Sequence, residues 1–413
     1  MLRRLDPPHP GVDVQKLSNT VRDYAWGSKT SLAELFGREP SGSPEAELWI
    51  GAHPGAPSVL EPQGLPLDAA IASDPEGMLG AAVASEHGRL PFLLKILAAS
   101  EPLSLQVHPN LEQAAAGFAA EEATGPAQDA PDRNYRDDQH KPEMIVALTA
   151  FEALSGFRDT AASAPAFDWL AAHVEVEGAR NAALNIADAL RAGDLAPAVA
   201  LLLQADDDVR RLALLGARAV DAASDDAAAT NPSLGLLPRL AAFHPGDTGA
   251  LLALLLHLVS LKPGEALSLP AGNIHAYLHG TGVEIMANSD NVLRGGLTSK
   301  HVDVPELLRI VLFEPLDPHR VQPLSPAPGL EIYRSGFAEF DLARISHAET
   351  PVTLPGSGAA AVVVVAGSLT LTAADGSTLE LERGESAFVE GQDLPVTAQG
   401  SDGVEAYLGY TAG

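Results

Sequence analysis

The sequence predicts a mainly β protein with a helical insertion, in which two small β units are separated by a block of helices. Three observations predict it. Residues 15–155 break into short apolar runs separated by Gly, Pro and polar clusters, the pattern of strands and loops. Residues 159–258 carry alanine and leucine at helical spacing instead. After 326 the chain returns to alternating runs divided by turn residues. At 413 residues it also exceeds what one hydrophobic core usually supports, so more than one unit is expected.

The first strands are read in ELWIGAHPGAPSVL (47–60) and PFLLKILAASEPLSLQVHPN (91–110). Helices follow in ARNAALNIADALRAG, LAPAVALLLQ and DVRRLALLGARAVDAA, with Asp206 to Asp208, and Asp247 with Thr248, placed as N-terminal caps. Strand character returns at about 261 in LKPGEALSLPAGNIHAYL, and PELLRIVLF reads as a helix entered at Pro305. Beyond the proline-rich PLDPHRVQPLSPAPG, the runs VVVVAGSLTLT, STLELERGESAFVEG and VEAYLGY suit a second barrel or sandwich. The expected units are therefore 1–158 with 259–325 (catalytic), 159–258 (helical insertion) and 326–413 (C-terminal β).

Composition excludes several classes of function. With 54 acidic and 26 basic side chains, the net charge of -28 repels nucleic acid and anionic membranes. It repels anionic metabolites too, so a phosphorylated substrate needs a local cluster of cations. The chain has no cysteine, which removes disulfides, thiolate nucleophiles and cysteine-held metals. The N-terminal MLRRLDPPHPGVDV has no apolar run behind its arginines, so no secretory signal is expected. The longest apolar run, LLALLLHLVSL, is about half the roughly 20 residues that span a bilayer. A cytoplasmic monomer is expected.

Chemistry concentrates in 275–300, HAYLHGTGVEIMANSDNVLRGGLTSK, which combines His275 with Glu284, Asp290, Arg294 and Lys300. Gly264, Pro270, Gly272 and His275 form G-x5-P-x-G-x2-H, the hairpin by which cupin-type barrels present a metal-binding histidine. In LSLQVHPN, Gln106 and His108 are two apart, and on a strand both face one side. In YRDDQHKPEM, Pro142 favours an extended segment that puts Lys141 and Glu143 on one face and His140 on the other. Gln106, His108, Glu143 and His275 make a four-ligand N/O set suited to zinc. In the C-terminal copy of the hairpin Leu394 replaces the histidine, so that copy reads as structural. Trp26, Trp49 and His53 read as packing and turn residues around the barrel mouth.

Lysine usage points the same way. Only six lysines occur, at 16, 29, 95, 141, 262 and 300, among 26 basic residues. A chain that prefers arginine keeps lysine where a compact charge, a tunable pKa or a phosphate contact is needed. Lys95, Lys141 and Lys300 fall in or beside the motifs and, with Arg294, supply the cationic cluster.

Taken together these residues resemble the type I phosphomannose isomerases of the cupin superfamily. Tyr135, Asp137, His140, Lys141, Pro142 and Glu143 match the family's Tyr-x-Asp-x-Asn-His-Lys-Pro-Glu signature, with Gln139 in place of Asn. His275 to Lys300 match its second signature, except for Gly295 and Ser299, where Ala and Pro are usual. The likeness runs from about 15 to 310 and is weakest in the C-terminal unit. It implies one Zn²⁺ per chain on Gln106, His108, Glu143 and His275, and an active-site role for Arg294. It also implies a sugar-phosphate substrate, with mannose 6-phosphate and fructose 6-phosphate exchanged through a cis-enediol in carbohydrate metabolism, GDP-mannose biosynthesis included. Lys300 and Lys95 are the expected phosphate contacts. His140, Lys141, Glu284 and Asp290 are the candidate bases, with Lys141 or Asp290 favoured. The alternatives are a cupin oxygenase, and a sugar-phosphate-binding cupin without catalysis.

Overall fold

The strand His275–Ala287 is the spine of the molecule. It pairs antiparallel with Phe92–Ala99 and Glu143–Ala147 along its second half, and with Phe151–Phe157 and Gln106–Val107 along its first. Every segment that carries a sequence motif therefore meets on one strand. All eight residues of Phe92–Ala99 are buried, as its near-continuous apolar run requires. Outward from the spine the sheet continues through Ala266–Leu269 to His319–Val321 on one side, and through Glu47–Gly51 to Thr20–Arg22 on the other. The protein is represented by a computed structural model that describes residues 14–356, 358–391 and 395–412. The N-terminal residues 1–13 and Leu394, both read above from sequence, lie outside the described residues.

The helical block forms as expected, with Thr160–His173, Glu177–Arg191, Leu195–Gln204 and Asp207–Ala222 as its longest members. Asp159, Asp194 and Asp206 each accept a backbone N–H at a helix start. Its leucine core extends to Leu293, Leu297 and Leu307, so the insertion packs against the segment that carries Arg294 and Lys300. Gly249 and Gly296 touch backbone to backbone there; a Cβ on Gly296, whose φ is +127°, would lie 2.7 Å from the Gly249 Cα.

Two local readings need correction. Residues 15–155 are not strands and loops alone, since Leu111–Thr124 is a 14-residue helix and Ser31–Leu35, Leu67–Ser73, Pro75–Leu79 and Ala81–His87 are short ones. Asn110 and Gln113 close a capping box on the long helix, so its start signal was present in the sequence. Strand structure also returns at Leu256 rather than about 261, because Leu256–Leu261 pairs with Phe151–Phe157. The helix at Pro305 is found as Val304–Ile310.

Beside a separate four-stranded sheet of Val352–Thr353, Thr397–Gly400, Ser368–Thr372 and Thr378–Glu382, the C-terminal strands form a second large antiparallel sheet. Its order runs Leu324–Ala327, Leu330–Tyr333, Asp341–Ser346, Glu405–Tyr410, Ala360–Ala366 and Ser386–Val389, and it then takes up Val14–Ser18, Val59–Glu61 and Leu65–Pro66 from the other end of the chain. The N-terminal unit thus lends strands to the C-terminal one, across the boundary expected from sequence. The faces of the two sheets share a core in which Ile50, Phe92 and Ile285 pack with Val363, Phe388 and Tyr407. Among the described residues no helix is long and apolar enough to cross a membrane.

Candidate metal and sugar-phosphate site

The local register converges three side chains. Gln106 and His275 are direct partners across antiparallel strands, and Glu143 starts the strand on the other side of the spine. Ligand atoms of His108, Glu143 and His275 all lie within 4.8 Å of one another, and all three residues are buried. The Glu143 carboxylate stands between the rings, with Oε1 3.3 Å from His108 Nε2 and Oε2 3.2 Å from His275 Nε2.

The tautomers follow from the outer contacts. His108 Nδ1 donates to the Asn291 carbonyl at 2.8 Å, and His275 Nδ1 to the Asn273 carbonyl at 3.0 Å. A carbonyl can only accept, so each ring in its neutral form turns an unprotonated Nε2 toward Glu143. Burial, with Lys141 and His275 adding to it against the pull of Glu143, pushes the His108 pKa down to about 4, which keeps that ring neutral at pH 7. Its buried Nε2 has no hydrogen-bond partner. Acceptor nitrogens facing an acceptor carboxylate repel unless a cation lies between them, so this donor set fits a metal ion and fits zinc in particular.

Glu143 and His275 border the inner of two spaces that share lining residues. A small inner chamber is lined by Gln106, Lys141, Glu143, His275, Tyr277 and Glu284, among others. An outer cavity of about 440 Å³ shares Gln106, Lys95 and Lys141 and opens past Asp290, Arg294, Ser104, Thr298 and Lys300. Lys141 Nζ donates to Glu143 Oε1 at 2.6 Å. Burial raises the Glu284 pKa, and Glu143 and Glu47 add to that against the pull of Lys95. Burial also pushes the Asp290 carboxyl upward, but His53, 3.4 Å away, together with Lys141 and Lys95, holds it below the ordinary aspartate value.

Cations gather at the outer rim. Among the described residues Arg294 makes no hydrogen bond or ion pair with a side chain. Partial burial lowers the pKa of Arg294 and of Lys300, and Arg136 lowers both further; Arg294 does the same to Lys300. Three like charges held together against a -28 background mark a place for an anion.

The structure brings ten of the eleven sequence-chosen residues to these spaces or to the metal group, and it relocates one. His140 points the other way and meets Glu339 Oε1 at 2.5 Å beside a separate cavity. The strand alternation that puts Lys141 in the site turns its neighbour out. Lys95 is inside but is no phosphate handle: it is buried, donates to Glu284 at 2.8 Å and lies 3.8 Å from Glu47. Burial works against its charge, and the carboxylates of Glu284, Glu47 and Glu143 outweigh this and hold its pKa above the ordinary lysine value.

Other residues were missed. Asn291 is fully buried; its side chain bonds the Arg136 amide at 2.7 Å and the Asp137 and Gln139 carbonyls at 2.8 Å, while its own carbonyl orients His108. Arg136 and Asn291 lie inside the two signatures, so their neighbourhood was the available signal. His244 of the insertion also lines the outer cavity, and nothing in its surrounding sequence marks it. His53 does pack edge-on against Trp49, but its Nδ1 accepts the Gly55 amide at 3.0 Å, which leaves Nε2 for Asp290.

The chain is similar to known proteins of one family. The family model for the phosphomannose isomerase type I catalytic domain matches residues 14–160. Mannose-6-phosphate isomerase of Escherichia coli (strain K12) is 42% identical over 399 residues, covering 94% of this chain and 97% of the relative. That of Homo sapiens is 35% identical over 323 residues, covering 72% and 73%. The crystal structure of mannose 6-phosphate isomerase from Salmonella typhimurium bound to substrate and to a zinc atom matches with a TM-score of 0.85 at 37% identity, over 96% of this chain and 99% of that one. The chain belongs to the mannose-6-phosphate isomerase family, also called the type I phosphomannose isomerases.

Proposed function

We propose that this protein is a zinc-dependent aldose–ketose isomerase that interconverts D-mannose 6-phosphate and D-fructose 6-phosphate through a cis-enediol. One observation carries the reading: Glu143 and His275 of the metal group line an inner chamber that shares Gln106, Lys95 and Lys141 with the outer cavity bordered by Arg294 and Lys300, a metal floor beneath an anion-binding rim. His108, Glu143 and His275 would hold one Zn²⁺, with the Gln106 amide oxygen as a fourth ligand. Bound zinc supplies Lewis-acid polarisation of sugar oxygens.

The chain's own groups divide the remaining work. Lys300, with the hydroxyls of Ser104 and Thr298 beside it, takes the phosphate and orients the reacting end of the sugar. Arg294 faces the negative charge that develops on the enediolate. Asp290, ionised at neutral pH, or Lys141 moves the proton between C2 and C1. Glu284, tied to Lys95, shapes the inner chamber where the carbonyl end would sit.

The antiparallel sheets read as two cupin-type barrels. The catalytic unit is 1–158 with 259–325, interrupted by the helical insertion 159–258, and the C-terminal cupin-like unit is 326–413 with strands lent by the first. The turn that presents His275 supports this, since Gly264 and Gly272 have φ of +85° and +75°, which a hairpin of that motif demands. A cytoplasmic monomer completes the proposal, to be checked by fractionation and light scattering.

The test is metal removal. Exhaustive dialysis against a strong chelator abolishes conversion of mannose 6-phosphate in a coupled assay, and added zinc restores it. Full activity in verified zinc-free protein overturns the reading.

A further inference from the structure

The segment that carries Lys141 has a gap in its backbone support. On one side, the Gln139 carbonyl accepts from Ser289 Oγ at 3.2 Å and Asn291 Nδ2 at 2.8 Å. On the other, the Pro142 carbonyl accepts from the Ala287 amide at 3.0 Å, and the strand ladder begins at Glu143. Between them, neither His140 nor Lys141 makes a backbone hydrogen bond among the described residues. Their positions therefore rest on their side chains. Lys141 is held by Glu143, which would itself be a metal ligand, and His140 by Glu339.

Glu339 comes from the C-terminal sheet, in the turn between Leu330–Tyr333 and Asp341–Ser346. The turn is stiff. The Ser335 amide donates to Asp341 Oδ1 at 2.7 Å, the Phe337 amide donates to Ser335 Oγ at 3.0 Å, and Ser335 Oγ donates to the Phe340 carbonyl. Phe340 and Asp341 are buried. Burial pushes the Glu339 pKa up, but the bond to His140 and its charge, with His87 adding, bring it below the ordinary glutamate value. Beside the pair lies a cavity of about 210 Å³, lined also by His87, Gln139 and Asn288, into which an unclamped imidazole can swing.

We propose that Glu339 is a positioning residue for the isomerase reaction: it reaches from the C-terminal unit, clamps His140, and so fixes Lys141, the donor to Glu143, on the opposite face of the same segment. The inference rests on the isomerase reading above. It gives the C-terminal unit a task in catalysis although its hairpin has no metal histidine.

A double-mutant cycle tests it, with kcat and KM for mannose 6-phosphate and zinc affinity from competition with a chelating dye. Glu339→Ala and His140→Ala each lower kcat by roughly 10- to 100-fold, as a small misplacement of a positioned group does, while zinc affinity stays near wild type because Glu143 keeps its strand pairing. KM stays near wild type because Arg294 and Lys300 are untouched. The double variant is no worse than the poorer single, since both remove one contact. Glu339→Gln, which keeps a hydrogen-bond acceptor, recovers part of the rate. Where Glu339→Ala fails to fold by circular dichroism, the cycle is run with Glu339→Gln and His140→Gln, and the same non-additivity is required. Inactive wild-type protein overturns the isomerase reading. Active wild type with an unaffected Glu339→Ala, or fully additive losses, overturns the clamp alone.

Discussion

At the scale of single residues, the site separates groups that sequence motifs place side by side. Arg294 and Lys300 are six positions apart in one arm, yet Arg294 is the more deeply buried and Lys300 the more exposed. Arg294→Ala is therefore expected to lower kcat by roughly 10²-fold, as loss of a preorganised electrostatic donor does. Lys300→Ala instead raises KM with kcat nearly intact, because an exposed charge gripping a remote phosphate stabilises ground and transition states alike. Steady-state kinetics of the two variants checks both; a KM-only effect for Arg294→Ala moves that residue to substrate binding. The convergence of His108, Glu143 and His275 was legible because i, i+2 spacing and a proline-enforced strand fix which face a side chain takes. The contacts of Lys95 were not. Its partners Glu284 and Glu47 reach it through strand register, and pairing between strands 189 residues apart leaves no local mark.

At the scale of elements, the arm that carries Arg294 and Lys300 is set by the helical insertion. Asp247 ties them, accepting the Gly249 amide at 2.7 Å and the Thr298 amide at 3.3 Å, directly beside the Gly249 and Gly296 contact. Gly296→Ala adds a methyl 2.7 Å from backbone at a φ of +127°, so it is expected to push the arm away. A raised KM for mannose 6-phosphate and a lower unfolding midpoint are the readouts. Gly295, which departs from the Ala usual in the related signature, has the opposite expectation. An added Cβ there meets the flexible end of Leu307 at 3.3 Å, and no left-handed φ opposes it. Gly295→Ala should leave kcat unchanged and stabilise by up to about 1 kcal/mol through reduced freedom of the unfolded chain, as measured by calorimetry. The insertion helices were legible from their period and their aspartate caps. The helix Leu111–Thr124 was overlooked because its glycine, alanine and glutamate residues give little apolar periodicity, although Asn110 and Gln113 mark its start.

For the whole molecule, the interleaving of the two sheets implies that the C-terminal unit cannot stand by itself. Ser386–Val389 is buried throughout, and Val14–Ser18 covers one of its edges through pairing from Val14 with Val389 to Leu17 with Ser386. On one face Phe388 and Tyr407 pack with Phe92 and Ile285 of the catalytic sheet. A fragment of residues 319–413 loses both partners at once. It exposes an unpaired apolar strand edge and an apolar face, the combination that drives edge-to-edge association. Expressed alone, the fragment is expected to aggregate or to show the poorly dispersed amide NMR spectrum of an unfolded chain. A stable, monomeric, well-dispersed fragment is the outcome that refutes this. Sequence alone could not anticipate the arrangement, because SAFV reads the same whether its neighbour lies ten residues away or, as here, more than 360 residues away at the start of the chain. The same interleaving lets a turn of the C-terminal sheet reach His140, so deleting this unit should lower activity even in molecules whose metal ligands remain correctly folded.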